Sequence, residues 1–264
     1  MYKIFKNAIP EDKMLACQKY IENQSKYYQF EEASDKLGKY QIKRIFNDDL
    51  LKSSAIKELF FYEPLIKKIK DEIGDFTIIN YFSGMINSFG TVIHRDGQSL
   101  GYKYDSKVKS KKIFKVMFYF DVQNKTTSKC LDVNFFDFEL KNFFFSKKIY
   151  MKVNYYYENY FRKKIMRSLN INLGDVIIMD NNTWHSASFI ESRNDLMDLN
   201  FKCRKILLNF EVVNDQNIVH EHSQHVRNTY AKNKDGKYVN VNTNLIDQKY
   251  YEVLRKNNIS IFNI

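Results

Sequence analysis

Five histidines occur in the 264 residues, and two of them stand where a metal site could be assembled. His94 closes the β-branched segment Gly90-Thr-Val-Ile-His94 and is followed by Arg95 and Asp96. Along an extended backbone, positions i and i+2 point to the same side. The imidazole of His94 and the carboxylate of Asp96 can therefore reach one ion. His185 comes after Gly174-Asp-Val-Ile-Ile-Met-Asp-Asn-Asn-Thr-Trp184, at the end of a later group of strand-like segments. Two imidazoles and one carboxylate on a triangular face hold a divalent ion and leave its other positions open. That is the ligand set of non-heme Fe(II) oxygenases. The open positions suit the two chelating oxygens of a 2-oxo acid and a molecule of dioxygen.

A 2-oxoglutarate cosubstrate also carries a distal carboxylate that must be desolvated. A bidentate, charge-assisted partner answers that need, and arginine supplies it. Arg204 opens the strand-like run Arg-Lys-Ile-Leu-Leu-Asn-Phe-Glu-Val-Val213. Lys115 lies in Phe114-Lys-Val-Met-Phe-Tyr-Phe120, where alternation puts Lys115, Met117 and Tyr119 on one face. A lysine there either faces inward and helps hold the cosubstrate or is an ordinary outward lysine. Asn80 and Asn87 precede His94 and are candidate donors to the chelating end of 2-oxoglutarate.

These segments resemble the phytanoyl-CoA dioxygenase-like family of Fe(II)/2-oxoglutarate oxygenases. The resemblance rests on His94-Arg-Asp96, on Gly174-Asp175 leading to Trp184-His185-Ser-Ala, on Cys203-Arg204-Lys-Ile-Leu-Leu-Asn-Phe, and on the strand from Phe114. It covers roughly residues 76–213. It implies that His94, Asp96 and His185 hold iron, that Arg204 binds the distal carboxylate, and that the core is a double-stranded β-helix. The cofactors implied are Fe(II), 2-oxoglutarate as cosubstrate, and O2. Because Asp96 is present, hydroxylation or another oxidation is expected rather than halogenation, which in related enzymes accompanies loss of this carboxylate. The chain departs from the family in two places. Arg204 lies further beyond His185 than the family's arginine usually does, with Arg193 as competitor, and the family's Pro-Gly-Ser-His segment is missing.

Other polar clusters carry less. His220-Glu-His222-Ser-Gln-His225 misses the HExxH pattern, because Gln224 takes the place of its second histidine. It reads first as a solvated polar turn, with a weak metal site on a loop, or one histidine reaching over the active site, as the alternatives. The stretch from Lys141 to Arg167, with Tyr155-Tyr-Tyr157 and Arg162-Lys-Lys164, could stack on bases and contact phosphates, or could lie over a substrate. No P-loop, GxGxxG or GxSxG pattern occurs.

The elements that must position these residues come in two textures. Residues 11–24 have Met14, Cys17 and Ile21 at helical spacing. Residues 48–72 read as helix, capped at Asp48 or Asp49 and divided at Pro64. After Gly74 the chain turns β-branched and aromatic, with strands expected at 76–82, 90–94, 112–121, 131–139, 175–180 and 204–213. Helices followed by a run of strands argue for an α+β fold with a sandwich or jelly roll as its core, and the family resemblance implies that this core is a double-stranded β-helix, cupin-like, with the N-terminal helices packed on the sheet. The expected layout is one domain over 1–264: a helical start at 1–74, a barrel at 75–213 with an insertion at 140–170, and a polar tail at 214–264 with a helix near 245–256.

Composition bounds the rest. Hydrophobic residues make up 44% and charged residues 28%, which excludes whole-chain disorder and fibrous architecture. Three cysteines without a CxxC argue against a disulfide framework or a cysteine zinc site. No apolar run long enough to span a bilayer and no secretory h-region occurs, so the expected location is cytoplasmic. A net charge of +11 reflects in part a Lys- and Asn-rich composition, and otherwise favours an anionic small molecule over nucleic acid. The expectation is an oxygenase acting on a small anionic metabolite such as an activated sugar, an acyl thioester or an amino acid. The alternatives are a redox-neutral metal-dependent jelly-roll enzyme and a non-catalytic basic module for nucleic acid or glycan.

Overall fold

The computed structural model describes residues 2–27, 31–35, 38–45, 47–87, 113–120, 133–136, 167–169, 171–181, 183–187, 205–229 and 243–263. The strands are β1 (Tyr2–Phe5), β2 (Glu31–Asp35), β3 (Gly38–Ile45), β4 (Thr77–Ile79), β5 (Ser83–Asn87), β6 (Ile113–Phe120), β7 (Val133–Phe136), β8 (Arg167–Leu169), β9 (Val176–Asp180), β10 (Trp184–Ala187), β11 (Lys205–Val213) and β12 (Ser260–Phe262). The helices are α1 (Glu11–Ser25), α2 (Asn47–Leu51), α3 (Ser54–Phe60), α4 (Glu63–Ile73), α5 (Gln216–Thr229) and α6 (Gln248–Lys256).

Two layers form, antiparallel except for the parallel pairing of β4 with β12. The large sheet runs β1-β9-β6-β11-β5-β3-β2, with β4 attached to β11 and to β12. The small sheet runs β10-β7-β8. From β6 onward the chain crosses between them: β6 large, β7 and β8 small, β9 large, β10 small, β11 large. This exchange is the winding of a jelly roll. Leu169 of the small sheet packs against Met117, Tyr119, Ile177 and Met179 of the large one. The core is thus the expected α+β double-stranded β-helix.

Alternation divides the large sheet into two faces. Ile206, Leu208, Phe210 and Val212 of β11, with Phe114, Val116, Phe118 and Phe120 of β6 and Val176 and Ile178 of β9, pack against the helices in one cluster. Phe60 of α3 stacks on Phe82 at 4.5 Å and meets Phe210 edge-on at 5.7 Å. The helices are cut to lie on that face. The Ser53 hydroxyl caps α3 by accepting from the Ile56 N–H. Pro64 stands in the first turn of α4, where its missing N–H costs nothing. Gly74, at φ 82°, ends the helix.

The turn before β9 locks the N-terminal segment in place. Gly174 has φ 90°, and its carbonyl accepts from the Ile9 N–H at 3.0 Å. A Cβ at position 174 would lie 2.6 Å from the Ile9 oxygen. The Asp175 side chain, fully buried, accepts from the Asn7 and Asn172 N–H groups at 2.9 Å and from Lys6 at 2.6 Å.

Several expectations change. The strand expected at 76–82 is the shorter β4, because Asn80 to Phe82 leave the ladder and β5 begins only at Ser83. There the Phe82 N–H donates to the Asn47 side chain and the Asn80 N–H to the Phe262 carbonyl. The helix at 48–72 is three helices, broken at Ser53 as well as before Pro64. Its first piece begins at Asn47, not at a capping Asp48 or Asp49. The helical start also contributes β1, β2 and β3 to the large sheet. The tail holds α5 in addition to the expected helix, which is α6 at Gln248–Lys256. The strand expected at 90–94 and most of 140–170 lie outside the described residues. Among the described residues no helix is long and apolar enough to cross a membrane.

Candidate functional site

The barrel-facing side of the large sheet differs from the helix-facing side. Its rows can be read across the ladder. One row is Arg44, Met85, Leu207 and Tyr119; the next is Ser83, Asn209, Met117 and Ile177; the next is Glu211, Lys115 and Met179. The wall is apolar towards β9 and polar towards β11 and β5. A cavity of about 140 Å³ opens on the polar part, lined among others by Arg44, Tyr81, Ser83, Lys115, Asn209 and Glu211.

Lys115 thus faces the barrel, on the one face that alternation gives it with Met117 and Tyr119. Its ammonium lies 3.9 Å from Glu211 Oε1, which is ion-pair distance rather than a hydrogen bond. The other oxygen, Oε2, is 2.6 Å from His222 Nε2. His222 is fully buried and Glu211 nearly so. Asn181 donates to Glu211 Oε1 at 3.4 Å, and its own Oδ1 is buried with no hydrogen-bond partner among the described residues.

The cluster 220–225 is therefore not a solvated turn. It lies on α5, and Val219, His222 and Val226 form that helix's buried stripe at i, i+3 and i+7. His225 stacks near His222 with ring centroids 6.3 Å apart. Burial, and then the neighbouring His222, hold the His225 pKa below the usual histidine value, with Glu211 pulling the other way. The sequence holds the stripe, but the partner Glu211 sits on a strand that only the fold brings under α5.

His185 stands in β10 opposite Phe135 of β7, and it is buried. Its Nδ1 lies 3.0 Å from the Thr183 carbonyl. With the Nδ1–H donating to that oxygen, the lone pair is carried by Nε2. Metal-bound histidines are commonly oriented in this way, by a backbone carbonyl on the second nitrogen. The turn of Asn181 and Thr183 leads from β9 to β10, and the Asn181 N–H donates to the Ile113 carbonyl at the start of β6. The β9–β10 corner that delivers His185 thus lies at the end of the large sheet that also carries Lys115 and Glu211.

His94, Asp96, Arg193 and Arg204 lie outside the described residues, with Arg204 directly before β11. Asn80 is fully buried, but its amide donates to the Asn263 side chain at 2.8 Å, and it is not among the residues that line the cavity. Among the described residues no group of three metal-binding side chains comes together. His185 is the single described member of the expected triad, buried in β10 with its Nδ1 3.0 Å from the Thr183 carbonyl oxygen.

No protein-family profile matches the chain, and no curated protein matches it. Solved structures do match in fold. A non-heme alpha ketoglutarate dependent carbocyclase, SnoK from nogalamycin biosynthesis, superposes with a TM-score of 0.52 at 8% identity, over 84% of this chain and 85% of that one. The epimerase SnoN from the same biosynthesis, described likewise as alpha ketoglutarate dependent, gives 0.50 at 9% identity, over 80% and 77%. A prolyl hydroxylase from Trichoplax adhaerens, solved with a hypoxia inducible factor peptide fragment, gives 0.50 at 9%, over 85% and 86%. At such identities the likeness shows the fold, a jelly roll of the kind these enzymes use.

Proposed function

We propose that this chain is an Fe(II)- and 2-oxoglutarate-dependent oxygenase that hydroxylates a small anionic metabolite. His94, Asp96 and His185 are the iron ligands, and Arg204 anchors the distal carboxylate of 2-oxoglutarate. The observation that carries the reading is His185. It is a buried imidazole in β10, its Nδ1 satisfied by the Thr183 carbonyl, in a jelly roll like that of the ketoglutarate-dependent enzymes above. When bound, the ferrous ion supplies the coupling of dioxygen reduction to decarboxylation of the 2-oxo acid. The subfamily that the segments around His94 and Trp184 resemble is the phytanoyl-CoA dioxygenase-like one, and the place of action is the cytoplasm.

The chain's own residues bind and exclude water. His185 is held in one tautomer, so its metal-binding nitrogen is fixed before the metal arrives. Lys115 supplies positive charge on the barrel wall for the cosubstrate's carboxylates, and its long contact to Glu211 allows that role. Asn80 is the weaker cosubstrate candidate, since its amide is engaged by Asn263. The helix-facing layer closes the far side of the sheet and keeps water from that direction.

Succinate release tests this reading. Purified protein with Fe(II), 2-oxoglutarate and ascorbate should form succinate in air and stop when the metal is chelated. His185→Ala should abolish it. Arg204→Ala should raise the 2-oxoglutarate requirement, while Arg193→Ala should not. Metal-dependent turnover of a substrate without any 2-oxoglutarate requirement would favour the redox-neutral alternative. Full activity in His185→Ala would remove the metal assignment.

A further inference from the structure

Glu211 and Lys115 stand directly opposite each other on β11 and β6, and both line the barrel-wall cavity. Side chains so placed have Cβ atoms about 4.5–5.5 Å apart, so a glutamate and a lysine can close a hydrogen-bonded ion pair. Elsewhere in the chain such pairs do close: Lys6 meets Asp175 at 2.6 Å and Lys70 meets Asp75 at 2.8 Å. Here the ammonium stays 3.9 Å from Glu211 Oε1, beyond hydrogen-bond reach.

The contact that keeps the pair open comes from α5. His222, fully buried in the stripe of Val219 and Val226, brings Nε2 to 2.6 Å from Glu211 Oε2. A short contact between an N–H and a carboxylate is among the stronger hydrogen bonds, and it turns the carboxylate towards the helix. Asn181, between β9 and β10, donates its amide to Oε1 at 3.4 Å. The asparagine gives this donor although its own Oδ1 is buried with no hydrogen-bond partner among the described residues. Both contacts draw Glu211 away from the strand opposite. Lys115 is left close enough to be attracted and too far from Glu211 to be hydrogen-bonded by it.

We propose that His222 is a positioning residue for anion binding: by holding Glu211 towards α5 it keeps that carboxylate from closing on Lys115, and so keeps the lysine's charge for a carboxylate group in the cavity. In the oxygenase reading, on which this assignment rests, that group belongs to 2-oxoglutarate. His222 does not line the cavity; it acts through Glu211. Without its N–H the buried carboxylate is one donor short, which is costly. Lys115, directly across the ladder on a flexible stem, then closes on Glu211. An entering anion must compete with Glu211 for the same ammonium.

The test titrates 2-oxoglutarate into Fe(II)-loaded protein without air and follows the heat of binding, with melting midpoints as the check on folding. Lys115→Met and His222→Phe should each bind on the order of tenfold more weakly than wild type. His222→Gln keeps a donor for Glu211 and should stay near wild type. Glu211→Gln has no negative charge to compete and should bind at least as tightly as wild type. Added to His222→Phe, it should restore tight binding. A merely structural histidine predicts the opposite, because a second buried substitution would add to the damage. Should His222→Phe not fold, Glu211→Gln and the double variant decide, and weaker binding than wild type in either overturns the proposal. Wild-type affinity in His222→Phe, or no recovery in the double variant, overturns it and leaves the oxygenase reading intact. Unchanged affinity in Lys115→Met overturns it by removing the lysine from the cosubstrate site. No binding of 2-oxoglutarate by metal-loaded wild type fails the oxygenase reading itself, and the proposal with it.

Discussion

Along β11 the helix-facing positions are Ile206, Leu208, Phe210 and Val212, all buried in one apolar cluster. The barrel-facing positions between them are Leu207, Asn209 and Glu211. The same nine-residue strand therefore does two jobs at alternate residues. One face is covered by α1, α3 and α4 and needs only shape and hydrophobicity. The other bounds a cavity and keeps an asparagine, a glutamate and, from β6, a lysine in a partly desolvated wall. Polar groups there lower stability unless each finds a partner. Glu211 finds His222, and Asn209 accepts the Ser83 hydroxyl. The difference teaches that stability and recognition are separable here by residue parity, so substitutions one position apart should have different consequences.

The largest contrast is between neighbours on β11. Phe210→Ala removes a ring packed against Phe60, Phe82 and Phe118. It should cost about 3–5 kcal/mol in chemical denaturation. Asn209→Ala, next to it, should cost about 1 kcal/mol, the worth of one hydrogen bond. Equal costs would break the two-face account. Next is Glu211→Ala, which leaves His222 buried without its partner, at roughly 3 kcal/mol. Glu211→Leu combined with His222→Leu should recover most of that loss, since a well-packed apolar pair avoids burying polar groups that need each other. Failure of the double variant to recover would mean that the pair has a further structural role.

Lys115→Met comes third. The side chain is mostly buried, but its contact to Glu211 is long. Stability should change by about 1 kcal/mol or less, whereas the affinity for 2-oxoglutarate should fall on the order of tenfold. A large stability loss with unchanged affinity would make Lys115 a structural partner of Glu211 only. The smallest effect is on pH. Burial, and then the neighbouring His222, disfavour the charged form of His225 and hold it below the ordinary histidine pKa. The unfolded chain then takes the proton first, so His225's contribution is present above pH 6.5 and is lost as the pH falls towards its folded pKa. Melting midpoints should decline on acidification through that range, and His225→Gln should flatten the slope.

Much of the barrel is legible in the sequence, for a physical reason. β6, β9 and β11 lie at or near the centre of the sheet, so their β-branched and aromatic runs mark them to within a residue or two. Alternation puts Lys115 on one face with Met117 and Tyr119 but leaves inward and outward open, and only the cavity on the barrel wall decides between them. β1, β2 and β3 were not legible. They are added to the edges of the large sheet, and Tyr-Lys-Ile-Phe at β1 is too short to signal a strand without β9 beside it. α5 was missed because its stripe is narrow and one of its members is a histidine, whose burial depends on Glu211 from another element. Asn209 could not be singled out at all. An asparagine whose place on the barrel wall is set by the fold looks, in a sequence, like any other asparagine.

The most direct test of the central claim is spectroscopic. Fe(II) and 2-oxoglutarate are added without air to the purified protein, and the visible spectrum is compared with that of His185→Ala and Arg204→Ala. The account predicts a weak metal-to-ligand charge-transfer band in wild type, absent in His185→Ala and reduced in Arg204→Ala. A metal-replete wild type with no such band would contradict it, and the barrel would then belong to a redox-neutral enzyme or a binding module.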